Sequence, residues 1–190
     1  MTDWEDLSIP TPDGESLHAY FLRPTNKRLD QSVTVLMFHG NAGNIGHRLP
    51  IAKVIQEHMG CHVLMLEYRG YGLSTGTPNE RGLLIDAQTG LDYLMERAET
   101  RDTKIVVYGQ SLGGALSIQL AAKNEKRGIV AGLVLENTFT SMRKLIPRLV
   151  GLLLSDAIRH GLIRTARSHP RSTWLDYAIR SGLVIRPYLP

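Results

Sequence analysis

The chain has 190 residues with a mass of 21.2 kDa; 43% are hydrophobic and 21% charged. That length suits one domain, or two very small ones, and the balance belongs to a soluble globular protein and excludes collagen-like, coiled-coil and intrinsically disordered chains. The net charge is +4, yet residues 1–147 are nearly neutral, with 15 basic against 16 acidic side chains. The excess lies in residues 148–190, with seven arginines, no lysine and only Asp156 and Asp176 as acids. Arginines scattered outside any recognition motif are not a nucleic-acid footprint, so no nucleic-acid partner is expected. No run approaches the roughly 18 to 20 apolar residues that cross a bilayer. The acidic start, Met1-Thr2-Asp3-Trp4-Glu5-Asp6, lacks the basic and apolar regions of a signal peptide. Cys61, the single cysteine, excludes an internal disulfide and a zinc site built on cysteine pairs. The expected setting is a soluble protein in a reducing, cytoplasmic compartment.

In chain order, Leu7-Ser8-Ile9 and Leu17 to Leu22 predict two strands joined by a turn over Pro10 to Gly14, where Pro-Asp-Gly is turn chemistry. Val33 to Phe38 is an uninterrupted apolar run, the pattern of a strand buried on both faces of a parallel sheet. A helix is expected from His47 to Met59, with Ile51, Val54 and Ile55 on its apolar face and Gly60 as its stop. His62 to Leu66 repeats the buried-strand pattern. Thr77-Pro78-Asn79-Glu80 has the form of a capping box with proline at the first helical position. The helix it opens carries Leu84, Ala87, Leu91 and Leu94 at helical spacing. Lys104 to Tyr108 is a third buried strand, Leu112 to Ala122 a helix, and Leu133 to Leu135 a fourth strand. Strands alternating with helices predict an α/β fold with a parallel sheet covered on both faces. After Pro147 the pattern decays: Leu149 to Leu154 is a short apolar run and no further strand is legible.

Gly109-Gln110-Ser111-Leu112-Gly113 matches Gly-x-Ser-x-Gly, a short pattern that is weak by itself. Its context sharpens it, because it follows a buried strand directly and opens a helix, as a nucleophile elbow requires. So tight a turn needs small residues on both sides of the serine, and Gly109 and Gly113 supply them. Such a turn lifts the Ser111 hydroxyl clear of the backbone and aims the Leu112 N–H at a reacting carbonyl oxygen. A second backbone donor belongs at the end of the first buried strand, where Asn41 in His39-Gly40-Asn41 offers its N–H. Both elements sit at strand C-terminal ends, where open α/β sheets hold their sites. The plainer alternative is a strand-to-helix turn with serine at the cap and an ordinary glycine turn.

Other motifs compete poorly. In Gly70-Tyr71-Gly72-Leu73-Ser74-Thr75-Gly76 the last glycine is one residue late for a dinucleotide fingerprint, and Pro78 intervenes before the helix. His58 and His62 are separated by the helix-breaking Gly60, so neither metal nor cofactor is expected. A serine hydrolase also needs a base, and only His160 and His169 follow Ser111. Asp156 precedes both and Asp176 follows both, but His160 lies only four residues from Asp156, whereas the acid and base normally stand on loops after two later strands, so both stay unassigned.

Four segments, His39-Gly40-Asn41-Ala42-Gly43-Asn44, Tyr68-Arg69-Gly70-Tyr71-Gly72-Leu73-Ser74, Tyr108-Gly109-Gln110-Ser111-Leu112-Gly113-Gly114 and Glu136-Asn137-Thr138-Phe139-Thr140-Ser141, resemble the α/β-hydrolase superfamily. Within it they are similar to the Bem46-like (bud-emergence) group, also called the α/β-hydrolase domain protein 13 group. The resemblance covers roughly residues 6–147. It implies an α/β-hydrolase fold, Ser111 as nucleophile, and the backbone N–H groups of Asn41 and Leu112 as oxyanion donors. It also implies hydrolysis of small-molecule or lipid-acyl esters or thioesters, acyl-protein thioesters among them. Members often carry an N-terminal membrane anchor, which would precede the first residue here. They continue through two more strands bearing the catalytic Asp and His. The expected organisation is therefore the N-terminal part of a hydrolase domain over 1–147 and an arginine-rich segment over 148–190 outside the family pattern. Truncation before the last strands would leave Leu133 to Leu135 as an open apolar edge, a route to self-association. Two functions follow: a serine hydrolase, or a non-catalytic hydrolase-like protein that keeps the elbow but lacks the acid and base.

Overall fold

The computed structural model describes residues 3–25, 29, 31–138 and 184–186. Its strands are β1 (Trp4–Pro10), β2 (Ser16–Leu22), β3 (Val33–Phe38), β4 (His62–Leu66), β5 (Lys104–Gln110), β6 (Val130–Glu136) and β7 (Val184–Arg186). The helices are α1 (Leu49–Met59), α2 (Glu80–Glu96) and α3 (Leu112–Lys123). All seven strands share one sheet in the order β1-β2-β4-β3-β5-β6-β7. β2 runs antiparallel to its neighbours β1 and β4, and the pairs from β4 to β7 are parallel.

Side chains alternate across the central strands, and both faces are buried. Leu36, Phe38, Leu64, Leu66, Ile105 and Val107 belong to a core shared with Leu91 and Leu94 of α2 and Leu116 and Leu120 of α3. Val35, Met37, Val63 and Met65 point the other way into a second core that includes Ala52 of α1. Burial on both faces is why these strands read as continuous apolar runs.

Three expectations are corrected by the structure. The face of α1 is rotated: Ala52 and Gln56 are its buried residues and Ile55 packs against the second core as expected, while Ile51 and Val54 are 37% and 55% exposed. The Gln56 amide donates to the Arg23 carbonyl beyond β2, so a polar side chain takes the inward place and turns the apolar pair outward. The cap of α2 is Asn79, whose Oδ1 accepts the Gly82 N–H at 2.9 Å. Pro78 stays outside the helix, packed against Gly70, and asparagine outranks threonine as a cap acceptor. Finally, the edge expected to be open at Leu133 to Leu135 is partly paired, Val134 to Glu136 lying opposite Val184 to Arg186 of β7. Gly60 does end α1, at φ 63° with its N–H on the Gln56 carbonyl, the left-handed cap that glycine adopts without a Cβ penalty.

One guanidinium ties the β1–β2 turn to α2. Arg69 donates to both oxygens of Asp13 at 2.8 and 3.0 Å. Its Nε and backbone N–H donate to the fully buried carboxylate of Asp86 at 2.9 and 2.8 Å. The Arg69 hydrogen bonds, aided by the Thr11 hydroxyl, hold the Asp13 carboxyl down to about 2, below the unfolded value of about 4. A carboxyl depressed on folding contributes stability that is complete above its unfolded value and is lost as pH falls through the folded one. Asp13→Asn should therefore lower the urea midpoint at about pH 6, and its gap to wild type should close between about pH 4 and pH 2. A gap that stays constant over that range would show that the pair contributes nothing.

Candidate active site

β5 delivers Ser111 and α3 carries the chain away from it. The serine sits between them at φ 50° and ψ −110°, a conformation that L-residues rarely hold without support from neighbours. That support comes from β6 and the turn that follows it. The Ser111 N–H donates to the Glu136 carbonyl of β6 at 2.9 Å, and the Thr138 hydroxyl donates to the Ser111 carbonyl at 2.9 Å. Asn137, at φ 48°, turns the chain after β6 so that Thr138 reaches back. The Glu136 carboxylate accepts from the Tyr108 hydroxyl, and from Gln110 Nε2 at 3.1 Å. Burial and that carboxylate push the Tyr108 phenol well above its usual range.

On the other side, β3 pairs with β5 so that Phe38 lies opposite Gly109. This register brings the loop after β3 against the elbow. A Cβ placed on Gly40 would stand 3.7 Å from the Ser111 Cβ, in ordinary contact. Gly113 has no such room: its Cβ would lie 2.3 Å from the Phe38 carbonyl oxygen, so α3 approaches the sheet only because that position is bare. Ser117 closes the first turn of α3 by donating to the Gly113 carbonyl at 2.7 Å.

The structure thus brings together the segments holding Ser111, Leu112 and Asn41. Leu112 is the first residue of α3, where a backbone N–H has no intrahelical partner and feels the positive end of the helix dipole. Asn41 is exposed on the loop next to Gly40, its side-chain oxygen accepting the Tyr71 hydroxyl at 2.5 Å. Asp156, His160, His169 and Asp176 lie outside the described residues. Among the described residues no group of three His, Cys, Asp or Glu side chains is placed to hold a metal ion. Nor is any helix there long and apolar enough to cross a membrane. A cleft of about 370 Å³ lined by Trp4, Tyr20, Leu49 and Lys53 opens on the α1 face, away from Ser111.

Sequence reasoning assigned no role to Thr138, Glu136 or Tyr71. Thr138 and Glu136 belong to a motif legible in the sequence, but their work depends on β6 lying beside β5. Pairing across the sheet is what converts those two residues into supports for the elbow.

The chain matches the family model described as alpha/beta hydrolase fold over residues 33–168, from the start of β3 to beyond Pro147. It is 49% identical over 145 residues to "Protein bem46" of Schizosaccharomyces pombe, covering 76% of this chain and 48% of that protein. Among solved structures, an alpha-beta hydrolase from Vibrio vulnificus superposes with a TM-score of 0.70 at 26% identity, covering 84% of this chain and 54% of that one. A bacterial heroin esterase superposes at 0.62 and 26% identity, over 74% of this chain and 45% of that one. The chain spans about half the length of the relatives it matches.

The support around Ser111 makes its strain measurable. Replacing the serine by glycine relieves a backbone cost of order 1–3 kcal/mol and adds about 0.5–1 kcal/mol of unfolded-chain entropy. Ser111→Gly should therefore melt above Ser111→Ala, which keeps the strain. Gly113→Ala should lose about 1–3 kcal/mol or more, since its new methyl meets backbone rather than a mobile side chain. Calorimetry on the three variants reads both, and a Ser111→Gly no more stable than Ser111→Ala would mean that the turn stores no strain.

Proposed function

The chain belongs to the α/β-hydrolase family, and from that premise we propose that it is a serine hydrolase acting on carboxylic esters or thioesters of small-molecule or lipid-acyl substrates. The observation that carries the reading is the backbone of Ser111, held at φ 50° between a central strand and a helix N-terminus. A serine kept in that conformation by hydrogen bonds from a neighbouring strand presents its hydroxyl at a helix end rather than merely capping it. Indeed, its side chain makes no cap hydrogen bond to α3. The bacterial heroin esterase, at 26% identity, supports an acyl ester as the substrate class.

In this mechanism Ser111 Oγ attacks the acyl carbonyl carbon, the carbonyl π pair moves to oxygen, and the hydroxyl proton passes to a base. The oxyanion is held by the N–H groups of Leu112 and Asn41, backbone dipoles that need no reorganisation as charge develops. Collapse of the tetrahedral intermediate expels the alcohol or thiol and leaves an acyl-serine that water then hydrolyses.

A second reading is a hydrolase scaffold without turnover; the described histidines all precede Ser111 in the chain and none of them offers it a base. His18 pairs with Asp6, His47 accepts the Asn44 N–H, His58 bonds to the Val54 carbonyl and His39 to that of Gly40. His62 stacks on Phe21, so each is engaged away from the Ser111 hydroxyl. Removing the base of a triad typically lowers turnover by orders of magnitude and leaves a remnant from the oxyanion hole.

Fluorophosphonate labelling of the full chain beside Ser111→Ala, with folding checked by near-UV circular dichroism, separates the two. Labelling that vanishes in the variant is the expected result. A folded wild-type chain that does not label would establish the scaffold reading instead.

A further inference from the structure

Behind the loop that carries Asn41 the fold buries a histidine and a glutamate that nucleophilic attack does not use. β3 and β4 are parallel neighbours, with Phe38 opposite Leu66, so the next residue of each strand, His39 and Glu67, come side by side. Their side chains are 1% and 2% exposed. His39 Nδ1 lies 2.7 Å from the Gly40 carbonyl oxygen. A carbonyl only accepts, so Nδ1 carries a proton. Nε2 faces Glu67 Oε1 at 3.3 Å, out of line for a hydrogen bond, and neither atom has another partner among the described residues. The imidazole edge and the carboxylate thus face each other at ion-pair distance in a dry interior.

The ring has little freedom. It stacks on Tyr68 at 4.3 Å between centroids and meets Tyr71 edge-on at 5.3 Å. The Tyr68 hydroxyl donates to the His39 carbonyl at 2.8 Å. The second oxygen of Glu67 accepts the Ile45 N–H at 3.3 Å, which fixes the carboxylate in turn.

The Gly40 carbonyl and the Asn41 N–H are two ends of one peptide group. That group is planar and trans, so fixing the carbonyl direction fixes the N–H in the opposite direction. A hydrogen bond accepted by the carbonyl also polarises the amide and makes its N–H a stronger donor. We propose that His39 and Glu67 form a positioning couple for the oxyanion hole. Glu67 holds the imidazole, and the Nδ1–H of His39, acting through the Gly40 carbonyl, aims and strengthens the Asn41 N–H. The proposal rests on the reading of that N–H as an oxyanion donor, and Tyr71 pins the same residue from its side chain.

Nuclear magnetic resonance of the full chain tests the couple without any turnover. In wild type the His39 ring should show a protonated Nδ1. Glu67→Gln, nearly isosteric, should move both the His39 ring nitrogens and the Asn41 amide while leaving amides of α2 in place. His39→Asn can put an amide donor where Nδ1 stands and should keep the Asn41 resonance closer to wild type than His39→Gln does. An unprotonated Nδ1, or an Asn41 amide indifferent to every substitution, overturns the proposal. With fluorophosphonate as the probe, the labelling rate constant should fall on the order of 10-fold in Glu67→Gln and 100-fold in His39→Gln. It should recover in part in His39→Asn, a rescue that loss of packing alone would not give. Equal rates in all of them would overturn the proposal too. A wild-type chain that does not label sinks the hydrolase reading and leaves the couple to the resonances.

Discussion

The backbone of Ser111, at φ 50° and ψ −110°, is the constraint from which the architecture around it follows. A residue so placed persists only when its surroundings leave no cheaper alternative. Here they act from both sides. β6 receives the Ser111 N–H, Thr138 donates to its carbonyl, and the bare Gly113 lets α3 sit against the Phe38 carbonyl. Two of these supports come from the end of β6 and the turn after it and the third from α3 packed on β3, so the elbow requires β3, β5 and β6 to be in register at the same time.

That register is secured by the two cores. Leu36 and Phe38 face α2 and α3 while Val35 and Met37 face the α1 layer. A slip of one residue in β3 would send both sets to the wrong side. Burial on both faces therefore sets where the loops at the strand ends meet. It places Gly40 beside Ser111, and His39 beside Glu67, with no dedicated contact required for either juxtaposition. The same packing makes the β3 loop stiff: its backbone is held by His39 from within and its Asn41 side chain by Tyr71 from outside.

How much of this was legible depends on where the determining interaction lies. β3 and β4 were read to the residue, because their signal is the continuous apolar run that two-sided burial imposes. The elbow was legible because Gly109, Ser111 and Gly113 answer a steric demand that is local to the turn. The face of α1 was misread because Ile51 and Val54 carry the apolar signal, whereas the inward orientation is set by Gln56 reaching the Arg23 carbonyl, thirty-three residues away in sequence. The cap of α2 was placed at Thr77 because Pro78 suits a first helical position. In the fold Pro78 packs on Gly70, and Asn79 takes the cap. β7 escaped notice for a different reason: three residues are too few to display a period. The support of Ser111 by Glu136 and Thr138 was invisible without knowing which strand lies next to β5.

Glu136 shows how the sheet apportions its polar groups around the elbow. A carboxylate at the end of the strand beside Ser111 stands where an acid could serve catalysis. Both of its oxygens are already committed, one to the Tyr108 hydroxyl and the other to the Gln110 amide. Both donors belong to β5, so the carboxylate cross-links β6 to the residues that lead into Ser111, and its own backbone carbonyl takes the Ser111 N–H. Withdrawing it to orient a histidine would leave a buried phenol and an amide without their acceptor, at about 1–3 kcal/mol each, and would loosen the strand that keeps Ser111 strained. Glu136 therefore serves the elbow as a brace.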